Sequence, residues 1–397
     1  MKDGYRRARM RAWIGACLAL VPLACAQAAG QEKLKIGFMA ELSGPQAALG
    51  QDMYDGFMLY LDRNGGKLGG REISVVKADS QLKPEVGVQL AESLTGRDDV
   101  PIVVGVTFSN VMLAVHPRIT QKKVFLIGTN AGPSQLAGKG CSPYFFSTSW
   151  QNDQQAEVVG HYAASKGYKR VVTMVPNYQS GFDFVTGFKR YYKAPLLDEI
   201  YTPLSQQDFS AELTQIAAKK PDAVFVFYPG GLGVNFLRQY QQAGLLGKIP
   251  VLSASTTDAI NLPAQRDSAL GVITGTAWGP DLDNEANRAF VAGFEKKYGR
   301  IPSHYAAQSY DGAQLLDSAL KQTGGNVADK QAFMAALKLA DFPSVRGTFK
   351  FGNNNFPVQD MHVFKVVKDA RGRVTLKTIA TPLPAHRDAY HAECPMD

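Results

Sequence analysis

The chain has 397 residues, of which 45% are hydrophobic and 20% charged, an ordinary globular composition with length enough for two or three lobes. Its formal charge is +8, but Lys2, Arg6, Arg7, Arg9 and Arg11 set against Asp3 carry half of it. What is left to the rest of the chain is too mild a balance to point to nucleic acid.

Those first residues have the three parts of a secretory signal: a basic region at 6–11, an apolar region at 12–24, and the small-residue site Ala26-Gln27-Ala28. The apolar stretch is too short to remain as a membrane span. Residues 1–28 are therefore read as a signal peptide, and the mature chain as exported to the periplasm and soluble. Lipid anchoring at Cys25 is disfavoured, because Pro22 stands where a lipobox wants Leu. Cleavage leaves Cys141 and Cys394, which in an oxidising compartment are expected to pair and to tie the tail to the loop before Tyr144.

From Leu34 the chain alternates. Short apolar runs at 34–39, 73–78, 102–106 and 124–128 read as strands, with amphipathic helices at 51–63, 85–94 and 109–121 between them. After Trp150 the rhythm restarts. Helices at 152–166, 181–192, 210–219 and 232–243 alternate with strands at 170–175, 199–202, 223–227, 250–253 and 271–276. Two series of this kind predict two α/β lobes with parallel sheets. The rest, with helices at 284–298, 306–321 and 330–339 and strands at 349–351, 361–367 and 374–380, does not make a third lobe. It must pack back onto the two sheets, so the lobes are discontinuous: 29–147 with 277–350, and 148–276 with 351–397. The tail from Pro382 reads as irregular.

Enzyme motifs are missing. The first strand leads into Glu41-Leu42-Ser43-Gly44-Pro45 rather than a dinucleotide or phosphate loop, and no Ser sits in G-x-S-x-G. His116, His161, His304, His362, His386 and His391 have no metal spacing, and Asp98-Asp99 and Asp281/Asp283 look like turns. No catalytic group, metal or cofactor is expected. What accumulates instead is a set of polar and aromatic loops after predicted strands, where open α/β sheets hold ligands. They include Phe108-Ser109-Asn110, Thr129-Asn130-Ala131-Gly132, Asn177-Tyr178-Gln179, Tyr228-Pro229-Gly230-Gly231 and Ser255-Thr256-Thr257. Ser109 lies where a strand stops and a helix starts, beside amides suited to an anion. The alternative is that Ser109 or Asn110 merely caps that helix. The glycines likewise serve as turns, and Trp150 as filler between lobes, on the plainer reading.

The stretch from Leu34 through Ser43-Gly44-Pro45 to Gly50-Gln51-Asp52 resembles the opening of periplasmic branched-chain amino-acid-binding proteins. So do Asn64-Gly65-Gly66-Lys67-Leu68-Gly69-Gly70, Asp208-Phe209-Ser210-Ala211, Leu237-Arg238-Gln239 and Ser309-Tyr310-Asp311-Gly312-Ala313. The resemblance covers nearly all of residues 34–367. It implies a type I periplasmic-binding-protein fold: two Rossmann-like lobes joined by three crossover segments, closing on a ligand. It also implies a small-molecule carboxylate ligand and an inner-membrane ABC permease as partners, with a monomeric chain. By position Ser109 is similar to the family's carboxylate-binding serine, and Asn130, Ala131 and Gly132 to the loop that completes the grip. Gly132 stands where amino-acid binders usually carry Thr. Leu49 falls where an aromatic residue is frequent, and Tyr178 resembles the aromatic contact of an Asn-Tyr-x-x-Gly loop. Near Ser255 amino-acid binders place a carboxylate for the ligand ammonium; here stand Ser253, Ser255, Thr256 and Thr257, with Asp258 off register. An unpaired buried ammonium costs several kcal/mol. The chain is therefore closest in character to relatives that bind aromatic carboxylates. Phe108, Trp150 and Tyr178 would form the walls, and Gly230 and Ser255 would face Ser109 from the second lobe. Branched-chain or other hydrophobic amino acids remain the alternative ligands. A ligand-sensing receptor and an exported enzyme are the alternative roles.

Overall fold

Runs that are apolar on both faces become the central strands of two sheets, because helices cover each sheet on both sides. The computed structural model describes residues 1 and 32–396, so the signal-peptide and Cys25 readings lie outside the described residues. The first lobe contains β1 (Leu34–Ala40), α1 (Ala47–Arg63), β2 (Lys67–Leu68), β3 (Arg71–Asp79), α2 (Pro84–Thr95) and β4 (Ile102–Gly105). It continues with α3 (Ser109–Thr120), β5 (Phe125–Gly128), α4 (Ser134–Ala137) and β6 (Phe145–Ser147). Its sheet runs β2-β3-β1-β4-β5-β6, parallel except for the β2–β3 hairpin.

The second lobe starts with α5 (Asp153–Ser165), β7 (Val171–Pro176), α6 (Gln179–Tyr191), β8 (Asp198–Thr202), α7 (Ser210–Lys219) and β9 (Ala223–Val226). It goes on through α8 (Gly231–Gln242), β10 (Val251–Ser253), α9 (Leu262–Gln265) and β11 (Ile273–Thr276). The remaining elements are α10 (Glu285–Tyr298), α11 (His304–Gln322), α12 (Lys330–Leu339), β12 (Phe349–Phe351), β13 (Pro357–Lys368) and β14 (Val374–His386). The second sheet runs β12-β13-β11-β10-β9-β7-β8, with β14 on β13. Strands β7 to β11 are parallel, and β12, β13 and β14 pair antiparallel.

The late helices return to the first lobe. Leu316 and Leu320 of α11 and Phe333 and Leu337 of α12 share a core with Phe38, Phe57 and Ile127. The chain thus crosses between lobes three times, after β6, after β11 and after α12. Arg346 knots the third crossing. Its Nε and Nη2 lie 3.1 and 3.0 Å from Asp311 Oδ2, and Nη1 donates to Ser149 O (2.9 Å) and to Gln359 Oε1 (2.7 Å). Both charges are buried, so each stabilises the fold only while the other is present.

Two expectations about the end of the chain met different outcomes. Cys141 and Cys394 form a disulfide with Cα atoms 5.8 Å apart. The tail beyond Pro382 is not irregular: β14 continues to His386. Its pairing with β13 shifts register three times, between Gln359 and Phe364, and neither Pro382 nor Pro384 has a registered partner. A bulged strand on one edge tolerates two prolines because the missing N–H groups are not needed there.

Candidate ligand-binding cleft

After β4 the backbone turns abruptly. Val106 has φ +67, a left-handed conformation rare for a β-branched residue and one that only surrounding bonds can hold. Its N–H donates to Met39 O (2.7 Å), and its carbonyl accepts from Ala131 N (3.1 Å). This turn brings Thr107 and Phe108 to the carboxyl edge of the first sheet. Helix α3 then begins at Ser109, and no side chain caps it. The Ser109 hydroxyl instead accepts from Ser180 Oγ of the second lobe (2.8 Å) and from Asn152 Nδ2 (3.1 Å).

Asn152 lies on the first crossing and joins several partners. Its Oδ1 accepts from Gly132 N (3.1 Å), and its Nδ2 also donates to Asp183 Oδ2 (2.9 Å). Asp183, on α6, further accepts from Ser134 Oγ (2.8 Å), Ser134 N (3.2 Å) and Gln179 Nε2 (2.8 Å). Burial raises the Asp183 pKa, and the bonds from Ser134, Asn152 and Gln179 hold part of that rise back.

The second lobe supplies its own strained corner. Ser255 has φ +50, and its hydroxyl donates to Gln155 Oε1 (2.9 Å). Gly230, with φ +58, meets the first lobe so closely that a Cβ there would lie 2.0 Å from Gln46 Oε1. Gln46 Nε2 reaches Pro229 O at 3.5 Å.

Between these edges lies a small closed cavity of about 30 Å³, space for roughly two waters. Of the residues expected from sequence, Leu49, Phe108, Asn130, Ala131, Trp150, Tyr178 and Ser255 line it. Ser109, Gly132 and Gly230 do not; they stand just behind, joined to its walls. Gly132 packs against Trp150 O, where a Cβ would lie at 1.9 Å, so the Thr usual in amino-acid binders has no room here. Thr107, Asn152, Ser180, Phe184, Phe227, Pro229 and Tyr305 complete the lining and were not singled out in the sequence. Phe227 and Pro229 sat inside stretches read as a strand end and a turn. Tyr305 comes from the first turn of α11, far along the chain, and no local signal marks it.

The walls are aromatic and neutral. Tyr178 stacks on Phe227 at 6.2 Å and tilts against Phe108 at 6.4 Å, and Phe227 stacks on Phe184 at 3.9 Å. Trp150 and Tyr305 both pack on the His304 ring, at 5.1 and 4.0 Å. Burial raises the phenols of Tyr178 and Tyr305 far above the usual range, and it lowers His304 to about 3, so all three stay uncharged. No Asp, Glu, Lys or Arg lines the cavity. Asn130 Nδ2 donates to Thr107 O (2.6 Å), while its buried Oδ1 has no partner.

A larger groove of about 750 Å³ runs along the outside between α1, α9 and β14. It is open and away from most strand-end loops. Asp258 lines that groove and not the cavity, its carboxylate accepting from Ile260 N (2.8 Å) and Asn261 N (3.1 Å). Burial pushes its pKa up to about 7.

The periplasmic binding protein family profile matches residues 33–371. Leu/Ile/Val-binding protein homolog 6 of Brucella melitensis is 30% identical over 374 residues, covering 92% of this chain and 95% of that relative. A solute-binding protein of an ABC transporter from R. palustris, solved in complex with benzoate, superimposes with a TM-score of 0.86 at 32% identity, covering 92% of this chain and 100% of its own. A second, from Rhodopseudomonas palustris BisB5 and in complex with 3,4-dihydroxybenzoic acid, gives 0.84 at 31% identity, with 90% and 99% covered.

Proposed function

The chain belongs to the periplasmic binding protein family, and on that premise we propose that it captures an aromatic carboxylate of the benzoate type between its lobes for an inner-membrane ABC importer. The observation that carries this reading is a cavity walled by Phe108, Trp150, Tyr178, Phe227 and Tyr305 with no charged side chain in its lining. A ring is well matched by such walls. A carboxylate finds neutral donors in the Ser109 and Ser180 hydroxyls, the Asn152 amide and the free amides at the start of α3.

Closure does the work in this scheme. The lobes, taken as 29–147 with 277–350 and 148–276 with 351–397, part so that the acid displaces Ser180 and Asn152 from Ser109. They then fold back over the ring and exclude water. Micromolar binding needs about 8 kcal/mol, which is about 0.9 kcal/mol for each of roughly nine non-hydrogen atoms, below the ceiling of about 1.5 for small ligands. Export to the periplasm as a monomer with no chemical turnover completes the reading.

The named Brucella relative supports a second reading, a branched-chain amino acid. Against it stands the lining, which offers an ammonium no carboxylate; pairing one with Asp258 would require the side chain to leave its backbone donors. Thermal-shift and calorimetric titration of benzoate, 4-hydroxybenzoate, leucine and isoleucine decide between them. Stabilisation by the benzoates alone is the expected result. Stabilisation by leucine or isoleucine without the benzoates would replace this reading with the second.

A further inference from the structure

The side chains that meet across the cleft are not equal. Ser109 and Ser180 share one hydrogen bond, and Gln46 only brushes Pro229 at 3.5 Å. Asp183 is different. It is 3% exposed, it sits on α6 of the second lobe, and its two oxygens receive four donors. Two of these, the Ser134 amide and hydroxyl, belong to the first lobe. A third is the Asn152 amide, which the same carboxylate holds in line with Ser109 Oγ. The fourth, Gln179, fixes the carboxylate from its own helix.

We propose that Asp183 is a positioning residue for lobe closure: it clasps Ser134 across the cleft and aims the Asn152 amide at Ser109, setting how far the closed state is favoured. Its own contact with the ligand is not required. A carboxylate is needed because all four partners are donors, and an amide would turn its NH₂ toward two of them. Breaking the clasp leaves Ser134 and Asn152 without a shared acceptor, and the open state, in which water reaches both, gains. This rests on the reading of the cleft as the ligand site, not on the identity of the ligand.

The test uses the ligand-free protein first. Spin labels at the exposed Gln121 and Gln241, one on each lobe, report the separation of the lobes by electron–electron resonance. Asp183→Asn is expected to shift the population toward longer separations, and Ser134→Ala, a milder change in a half-buried residue, to shift it the same way. The double variant is expected to move little further than Asp183→Asn alone, because both remove one clasp. With benzoate as the probe, each single variant is expected to weaken binding about tenfold, mainly through faster release. A merely structural Asp183 would lower the melting temperature and leave the separation unchanged, and that result overturns the proposal, as does a Ser134→Ala protein indistinguishable from the parent. If the parent binds no benzoate but the separations still shift, the clasp stands and the ligand assignment alone falls.

Discussion

Replacing Ser109 by Ala separates a structural hydroxyl from one that grips a ligand. In the structure its oxygen accepts from Ser180 and Asn152, at 2.8 and 3.1 Å. Asn152 keeps Asp183 after the truncation, and Ser180 keeps its 3.3 Å approach to Asn152, so no donor is left wholly unpaired. The stability cost is therefore about 1 kcal/mol, and the melting temperature of a chain this long falls by about 2 °C. A bound carboxylate loses more. A hydroxyl donating to a charged oxygen in a dry site contributes about 1.5–3 kcal/mol, so the dissociation constant for benzoate rises between about tenfold and a hundredfold. Calorimetric titration gives the affinity and scanning calorimetry the stability. Benzamide, which carries no charge, serves as the internal control, and its weaker binding changes by less than about tenfold. A benzoate affinity within twofold of the parent, alongside the expected small loss of stability, would return Ser109 to the role of an interlobe filler and remove it from the grip.

Gly230→Ala tests the approach of the lobes from the other side. Its backbone, at φ 58 and ψ −138, is a conformation reserved for glycine, so the variant loses about 1–3 kcal/mol of stability in any state. The added Cβ also meets Gln46, but only when the lobes close. Titration of Gly230→Ala against Gly230→Ala/Gln46→Ala isolates that part: the second change restores affinity without restoring stability, and equal affinities would discount the contact. Asp258 predicts a pH effect of definite sign. Its native pKa of about 7 lies above the roughly 3.9 of an unfolded Asp, so the folded chain alone keeps the proton in between, and stability is lost as pH rises through that window. The melting temperature of Asp258→Asn relative to the parent should therefore climb from pH 4 to pH 7 and then level; a pH-independent difference would contradict the assignment.

The fold was legible because it depends on periodicity, and periodicity is local. Ile102–Gly105 and Phe125–Gly128 are apolar on both faces and are central strands for that reason. Short elements escaped: Phe145–Ser147 is three residues long, and nothing in Phe-Phe-Ser distinguishes a strand from a loop. The site was legible in half. Strand-end loops such as Phe108 and Asn130 could be located by counting strands, since topology alone puts them on one edge. Tyr305 could not, because its place depends on the angle at which α11 returns after the second crossing. That angle is fixed by long-range bonds, the Ser303 amide to Asp52 (3.2 Å) and the Arg346 knot on Asp311. The role of Asn152 was hidden for the same reason: it read as the start of a helix, and its partners Ser109, Gly132 and Asp183 come from three separate segments.

The disulfide between Cys141 and Cys394 has a topological effect besides the entropy it removes from the unfolded chain. It closes a covalent ring around the 253-residue separation of its two ends, and all three crossings lie within that ring. A single protease cut anywhere between the two cysteines therefore opens the ring without freeing a fragment. A nicked molecule keeps both lobes tethered, and on a denaturing gel it runs as an intact chain until the bond is reduced. The strands, helices and loops that move in capture are thus held in a loop with one redundant connection, so that damage to any one hinge strand leaves the lobes within reach of each other.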